Sequence, residues 1–454
     1  MAGALAASVA WGYAVGTHSL AVGAALGIGT IAVVVWASPS TALYALPLLY
    51  VLPSTLPGGL HPRDIVAGLF ILVTLGFIRR WVFTGTTVMP LALDLALLAV
   101  VAVSAVGFIS QPGETAALAE IAAALIVFVA GIGFGVSGRL PLCVQVVRLV
   151  VLGVAAAAIV LWFLQETSAA DVLFGQYGRA DALFGPNGLG SFLAIGTAIE
   201  VTVRRNRLLT VSSILILGIP VTAIFLTGSR GAVLVLGIAL VAALMLSSRK
   251  SLGVLLAAAL IPGTVLAIAA LTSTRIDSAL QARVSPASIE TGPQLRIEAA
   301  RLAVHLMATH PLTGVGYGQA AKYAPSDPSL GIEFDTHNEY LRIGAESGIP
   351  ALLLFVALVA VCLRSGGRLM SADRSSATAG AFIAVVGFAV SLFVMQGLRS
   401  FEFSAPWMLL MGLLVGAAAR PGPTTTIQEA PKTPGSDSDP SSAQGAGTHP
   451  PRNS

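Results

Sequence analysis

The sequence predicts an all-α polytopic membrane protein, with 12–14 transmembrane helices and one long extracytoplasmic loop containing short helices. Three observations predict it. Of 454 residues, 56% are hydrophobic and only 10% charged, against about 25% charged in a soluble domain. A single soluble core stops growing near ~250–300 residues, so no soluble fold buries this much apolar surface. The apolar runs are also long and continuous, whereas a membrane β-barrel alternates over segments of about ten residues.

A spanning helix needs about 17–25 mostly apolar residues. Taken in order, the runs at 3–16, 19–37, 40–54, 63–79, 90–110, 116–136, 142–164, 187–203, 208–226, 230–247, 251–272, 338–363, 377–396 and 402–419 meet or approach that length. The first and third are short and read as half-spans or parts of one hairpin, which gives the range of 12 to 14. The Met1-Ala2-Gly3-Ala4-Leu5 start has no basic segment and reads as the opening of a first span, not a cleaved signal. Cys143 and Cys362 lie in or beside apolar runs and are expected to be buried and free.

Positive charge sets orientation. Arg79-Arg80, Arg139, Arg204-Arg205-Arg207, Arg249-Lys250, Arg364, Arg368, Arg374 and Arg420 fall in one set of loops, assigned to the cytoplasm. The other side then holds 55–62, 165–186, 227–230, 273–336 and 397–401. Residues 1–420 form the membrane domain, placed in the cytoplasmic (inner) membrane. The Pro-, Ser-, Thr- and Gly-rich stretch 421–454 is expected to be a disordered cytoplasmic tail.

The loop 273–336 has a pattern of its own. Leu295, Ala299, Leu302 and Leu306 share a face at helical spacing. His310-Pro311-Leu312-Thr313-Gly314-Val315-Gly316-Tyr317-Gly318 then ends that helix with a proline and three glycines. Thr336-His337-Asn338-Glu339 opens the next apolar run and fits a capping box, with Thr336 at the N-cap and Glu339 reaching back. On that reading Glu339→Gln is mild. The box leaves His337 unexplained: an imidazole at a helix mouth can take a proton from a hydroxyl. Arg342 and Glu346 stand four apart and can pair along the helix.

Arg230 is pinned between two apolar runs by Thr227-Gly228-Ser229 and Gly231. It is either an interfacial arginine with its stem in lipid or an anion site, since small neighbours admit a bulky anion and Arg forms a bidentate fork on phosphate. Arg296 is the second such cation; a solvated helix face is its plainer reading. Asn187, in Gly185-Pro186-Asn187-Gly188, caps the next span or contacts substrate. P-loop, dinucleotide and His-Glu-x-x-His motifs are missing. Asp437-Ser438-Asp439 lies in the tail and is set aside as a metal site. Apolar runs carry few charges (Asp94, Glu120, Glu200), which argues against an ion-coupled pump.

Four ordered segments together resemble the O-antigen ligase and O-antigen polymerase family of bacterial membrane proteins: 185–188, 228–231, Arg296 through Gly316, and His337-Asn338 with Glu346 and Gly348. The resemblance covers about 180–365. One departure is that Ile349-Pro350-Ala351 follow Gly348, where the family often has a second glycine; Pro350 is expected to kink the helix. The resemblance implies glycan transfer from a polyprenyl-diphosphate (undecaprenyl-type) carrier to a glycan, lipid or protein hydroxyl on the outer face. His337 would then be the catalytic group, Arg230 and Arg296 would hold the diphosphate, and Asn338, Glu339, Glu346 and Asn187 would support the acceptor. No metal, cofactor or nucleic acid is implied. The alternative is a flippase or exporter of lipid-linked saccharides, which would line a transmembrane path with basic residues. A non-catalytic scaffold would leave His337 and Arg230 without a role.

Overall fold

A computed structural model describes residues 38–51, 62–84, 115–164, 185–205, 207, 210–245, 286–323, 336–395 and 397–420. They form ten long helices and no strand, all within the unit 1–420. The helices are α1 (Pro62–Thr84), α2 (Thr115–Val136), α3 (Leu140–Leu164), α4 (Gly185–Val203), α5 (Val211–Thr227), α6 (Arg230–Met245), α7 (Pro286–Thr309), α8 (Glu339–Ala372), α9 (Ser376–Ser391) and α10 (Phe401–Ala419). Leu140–Val160, α8 and α10 are each long and apolar enough to cross a membrane, and α2, α4, α5 and α9 contain shorter apolar helices. The chain is a multi-pass α-helical membrane protein.

Most expected spans coincide with helices. The run 40–54 does not: it forms a 3-10 helix, Pro39–Ala45, and one helical turn, Leu48–Val51. Pro47 has no N–H to continue a single ladder across the junction. The runs 3–16, 19–37, 90–110 and 251–272, the tail 421–454, and much of 165–186 and 273–336 lie outside the described residues.

Helix α4 lies at the centre. Gly190 receives Thr227, Ser229 and Ala232; Gly196 receives Val151; Ile195 and Ile199 meet Gly387 and Gly380 of α9. Two of its threonines are satisfied within the helix, Thr197 by donating to the Leu193 carbonyl and Thr202 to that of Ala198. Glu200 is fully buried, with its carboxylate shared by Arg148 at 2.6 Å and Arg204 at 2.8 Å. Unpaired, that charge would cost several kcal/mol, on the order set by ion desolvation.

Helices α2 and α10 pack along glycines. Gly131 and Gly135 of α2 face Gly412 and Gly416 of α10, and a Cβ at any of the four would overlap the partner's backbone. Two small-x-x-x-small stripes back to back let the helix axes approach closely, the usual way to gain dispersion contacts where lipid removes the hydrophobic drive. Phe192, Phe403 and Trp407 fill the adjoining layer, with ring centroids 5.0–6.3 Å apart. Cys143 and Cys362 are buried free thiols, as expected.

The two sets of loops separate by end. Gly138 meets Arg420, Arg205 donates to the Arg374 carbonyl, and Val144, Val203 and Gly380 pack together. The arginine-bearing loops 137–139, 204–207 and 373–375 therefore share one end with Arg420. At the other end, Glu339 N–H donates to the Leu392 carbonyl, and Gly231 abuts Val394.

Candidate active site

His337 is half-buried just before α8, and its φ of 44° makes it the one non-glycine residue in the left-handed region among the described residues. Such a conformation costs about 1–3 kcal/mol and persists only where its surroundings over-determine it. Those surroundings are visible. Asn338 is the N-cap, its Oδ1 accepting from Leu341 N–H at 3.0 Å. Thr336 Oγ1 donates to the Asn338 carbonyl at 3.2 Å. Tyr340 donates its hydroxyl to the Ala389 carbonyl at 3.0 Å.

The capping box expected from Thr336 and Glu339 is therefore not what forms. The cap moves two residues on, to Asn338, and Glu339 is the first helical residue. Freed from reaching back, the Glu339 carboxylate turns inward. It is fully buried, pairs with Arg342 and accepts from Leu398 N–H at 3.3 Å. Arg342, 1% exposed, also bonds Glu346 at 3.0 Å, so the expected four-apart pair is present as half of a larger cluster. The Tyr317 ring covers the guanidinium at 4.7 Å, a cation–π contact from the preceding loop. Burial pushes the Tyr317 hydroxyl up to about 12, so it stays neutral near pH 7.

The glycine-rich loop 310–318 joins the site through backbone. Gly348 has a φ of 85° and breaks α8, and Pro350 has no N–H to offer the Glu346 carbonyl four residues back. The loop takes over the orphaned groups: Val315 N–H bonds the Ala345 carbonyl at 3.0 Å, Gly316 N–H that of Glu346 at 2.9 Å, and Ile349 N–H bonds the Pro311 carbonyl at 2.8 Å. A side chain at Gly314 or Gly348 would collide with that backbone. The expected kink is thus a docking step. Residues 349–372, at about 1.5 Å per residue, still span roughly 36 Å, enough for an about 30 Å hydrocarbon core.

The other expected residues fall as follows. Arg230 is exposed at the first position of α6. Gly228 caps α5 in the left-handed region, and Ser229 Oγ accepts from Ala232 N–H at 3.2 Å, capping α6. The small neighbours of Arg230 are thus explained by helix capping. Arg230 shares the end of His337 through the Leu392–Val394 turn, which α6 and Glu339 both touch. Arg296 is exposed on α7, which packs on α8 through Ala303 and Leu306, with Ala299 also buried. No hydrogen bond, ion pair or ring contact joins it to His337 or Arg230 among the described residues. Asn187 is half-buried inside the first turn of α4, not ahead of it, so it does not cap that helix.

Sequence reading missed Tyr317, the inward turn of Glu339 and its contacts with Leu392 and Leu398. The signal for Tyr317 was the spacing Gly314-x-Gly316-Tyr317-Gly318, which marks a loop pressed against another backbone. A small apolar slot of about 40 Å³ opens beside the cluster. Tyr317, Ile343, Ser347, Leu398, Phe355 and Met408 are among the residues that line it. Among the described residues no three His, Cys, Asp or Glu side chains gather as metal ligands.

Residues 189–356 match the family model described as O-antigen ligase. The match takes in Arg230, Arg296, the docking loop, His337 and the α8 break, and starts just after Asn187. No curated protein matches the chain.

Proposed function

We propose that this chain, which carries an O-antigen ligase family domain over residues 189–356, transfers a glycan from a polyprenyl-diphosphate carrier to an acceptor hydroxyl at the end of the bundle that bears His337. The observation that carries the reading is the strained, half-buried His337 at a helix mouth held by side-chain caps and a docked loop. His337 orients or deprotonates the acceptor hydroxyl, which attacks the anomeric carbon as the diphosphate leaves from the opposite face. The new glycosidic bond replaces the sugar–phosphate bond, and the proton passes to the base.

Arg230 stabilises the leaving diphosphate. A cation at a helix N-terminus is disfavoured by about 0.3–1 kcal/mol, so Arg230 at the first position of α6 favours an anion in front of it. Arg296 is a second, outlying cation for the carrier. Asn338, Glu339 and Glu346 support the site by capping and pairing. This reading needs no divalent metal.

The test is transfer by purified protein in proteoliposomes, with a lipid-linked glycan and a hydroxyl acceptor. A covalent glycan–acceptor product, insensitive to chelator, is expected. Arg230→Lys keeps a charge but loses the fork and is expected to lower turnover at least ~10-fold, at normal protein level. Translocation of intact donor with no product would instead favour a flippase. Full activity in Arg230→Lys would remove the role assigned to that side chain.

A further inference from the structure

We propose that Arg342 is a positioning residue that acts through His337, an inference that rests on the functional reading above. The mouth of α8, its break and the docked loop meet at this one guanidinium, and a further segment reaches it through Glu339. Glu339 brings the helix mouth, two residues from His337. Glu346 brings the break in α8, and its backbone carbonyl also receives Gly316. Tyr317 brings the docked loop, laid over the guanidinium. Leu392 and Leu398 arrive through Glu339, whose N–H donates to the Leu392 carbonyl and whose carboxylate accepts from Leu398 N–H.

Stability alone does not account for such a cluster. Three side chains at most 1% exposed bring two carboxyl groups and one guanidinium together. Replacing a buried ion cluster with apolar residues of similar volume is often neutral or stabilising, because desolvation offsets the Coulombic gain. What an apolar cluster lacks is direction. A planar fork holding one carboxylate three residues before it in the helix and another four residues after fixes both the rotation of the first turn of α8 and its register against the loop. The first turn is where the chain leaves the helix at His337 with a left-handed φ of 44°. Tyr317 and Leu398, which touch the cluster, also line the apolar slot. Arg342 itself is buried beneath Tyr317 and does not touch substrate.

A double-mutant cycle with full-length protein in proteoliposomes tests this. Arg342→Met and His337→Ala are made singly and together, with turnover and donor KM expressed per folded molecule. Displacing a catalytic group by about 1 Å costs on the order of 10²-fold. Arg342→Met is therefore expected to lower kcat about 10²-fold, with donor KM within a few-fold of wild type. Combined with His337→Ala it should lower kcat no further, because residues acting as one unit are not additive. Arg342→Lys, a single point charge for two carboxylates, should restore little. Where Arg342→Met yields too little folded protein, Glu346→Gln carries the same cycle, since it removes one carboxylate charge and keeps the side-chain shape. Multiplying effects in the cycle, or a fall in folded protein with kcat per molecule unchanged, would overturn the proposal and leave a structural clamp. Wild-type turnover in His337→Ala alone would instead sink the functional reading, and this proposal with it.

Discussion

At the scale of single residues, Glu339 separates what the sequence could say from what the fold decides. The motif Thr-x-x-Glu predicts a reciprocal box at a helix start, and a helix does start there. Yet Asn338 competes for the N-cap and wins, because its Oδ1 reaches Leu341 N–H at 3.0 Å. Local sequence holds two valid caps two residues apart, and only the partner of Glu339 chooses between them. That partner, Arg342, was legible as half of an i,i+4 pair. The Leu398 N–H and the Tyr317 ring, distant in sequence, were not. The difference is measurable. Losing a cap costs about 1 kcal/mol, whereas removing one member of a buried ion pair costs roughly 3–5 kcal/mol. Glu339→Ala is therefore expected to lower the melting temperature of detergent-solubilised protein well beyond Asn338→Ala. Equal shifts would return Glu339 to a capping role.

At the scale of elements, helix existence was largely legible and helix contacts were not. Uniformly apolar runs announce a span, but they carry no stripe to say which face meets which neighbour. The glycines of α2 and α10 held that information: Gly131-x-x-x-Gly135 and Gly412-x-x-x-Gly416 mark close approach. Gly412→Val puts a branched side chain against the Phe128 carbonyl. It is expected to cost at least the upper end of the about 1–3 kcal/mol of ordinary overpacking. Gly237→Val on α6, where nothing lies within 4 Å of the added carbon, is the control. Its yield and melting temperature should stay near wild type, and a Gly412→Val protein as stable as this control would show that the glycine contact is not needed. The break at Gly348 follows the same lesson. Pro350 announced a kink, but not that the loop's own N–H groups would satisfy the carbonyls the kink releases.

At the scale of the whole molecule, charge segregation was the most legible property. Arg139, Arg205, Arg374 and Arg420 lie in loops at one end of the bundle, and Arg230 and His337 lie at the other. The positive-inside bias then predicts an extracytoplasmic His337 end. Because Cys143 and Cys362 are buried, cysteines introduced at exposed Thr309 and Ser371 report topology cleanly. An impermeant thiol reagent on intact cells is expected to label Thr309→Cys and spare Ser371→Cys; the reverse would invert the molecule. The central claim, transfer of a lipid-diphosphate-borne glycan with His337 acting on the acceptor hydroxyl, meets its most direct test in one measurement. Turnover of purified His337→Ala is compared with wild type, on a lipid-linked glycan and a defined acceptor, with donor binding measured alongside. General-base help is typically worth about 10²–10⁴-fold. The account predicts a loss of that size with donor binding retained; wild-type turnover in His337→Ala would contradict it.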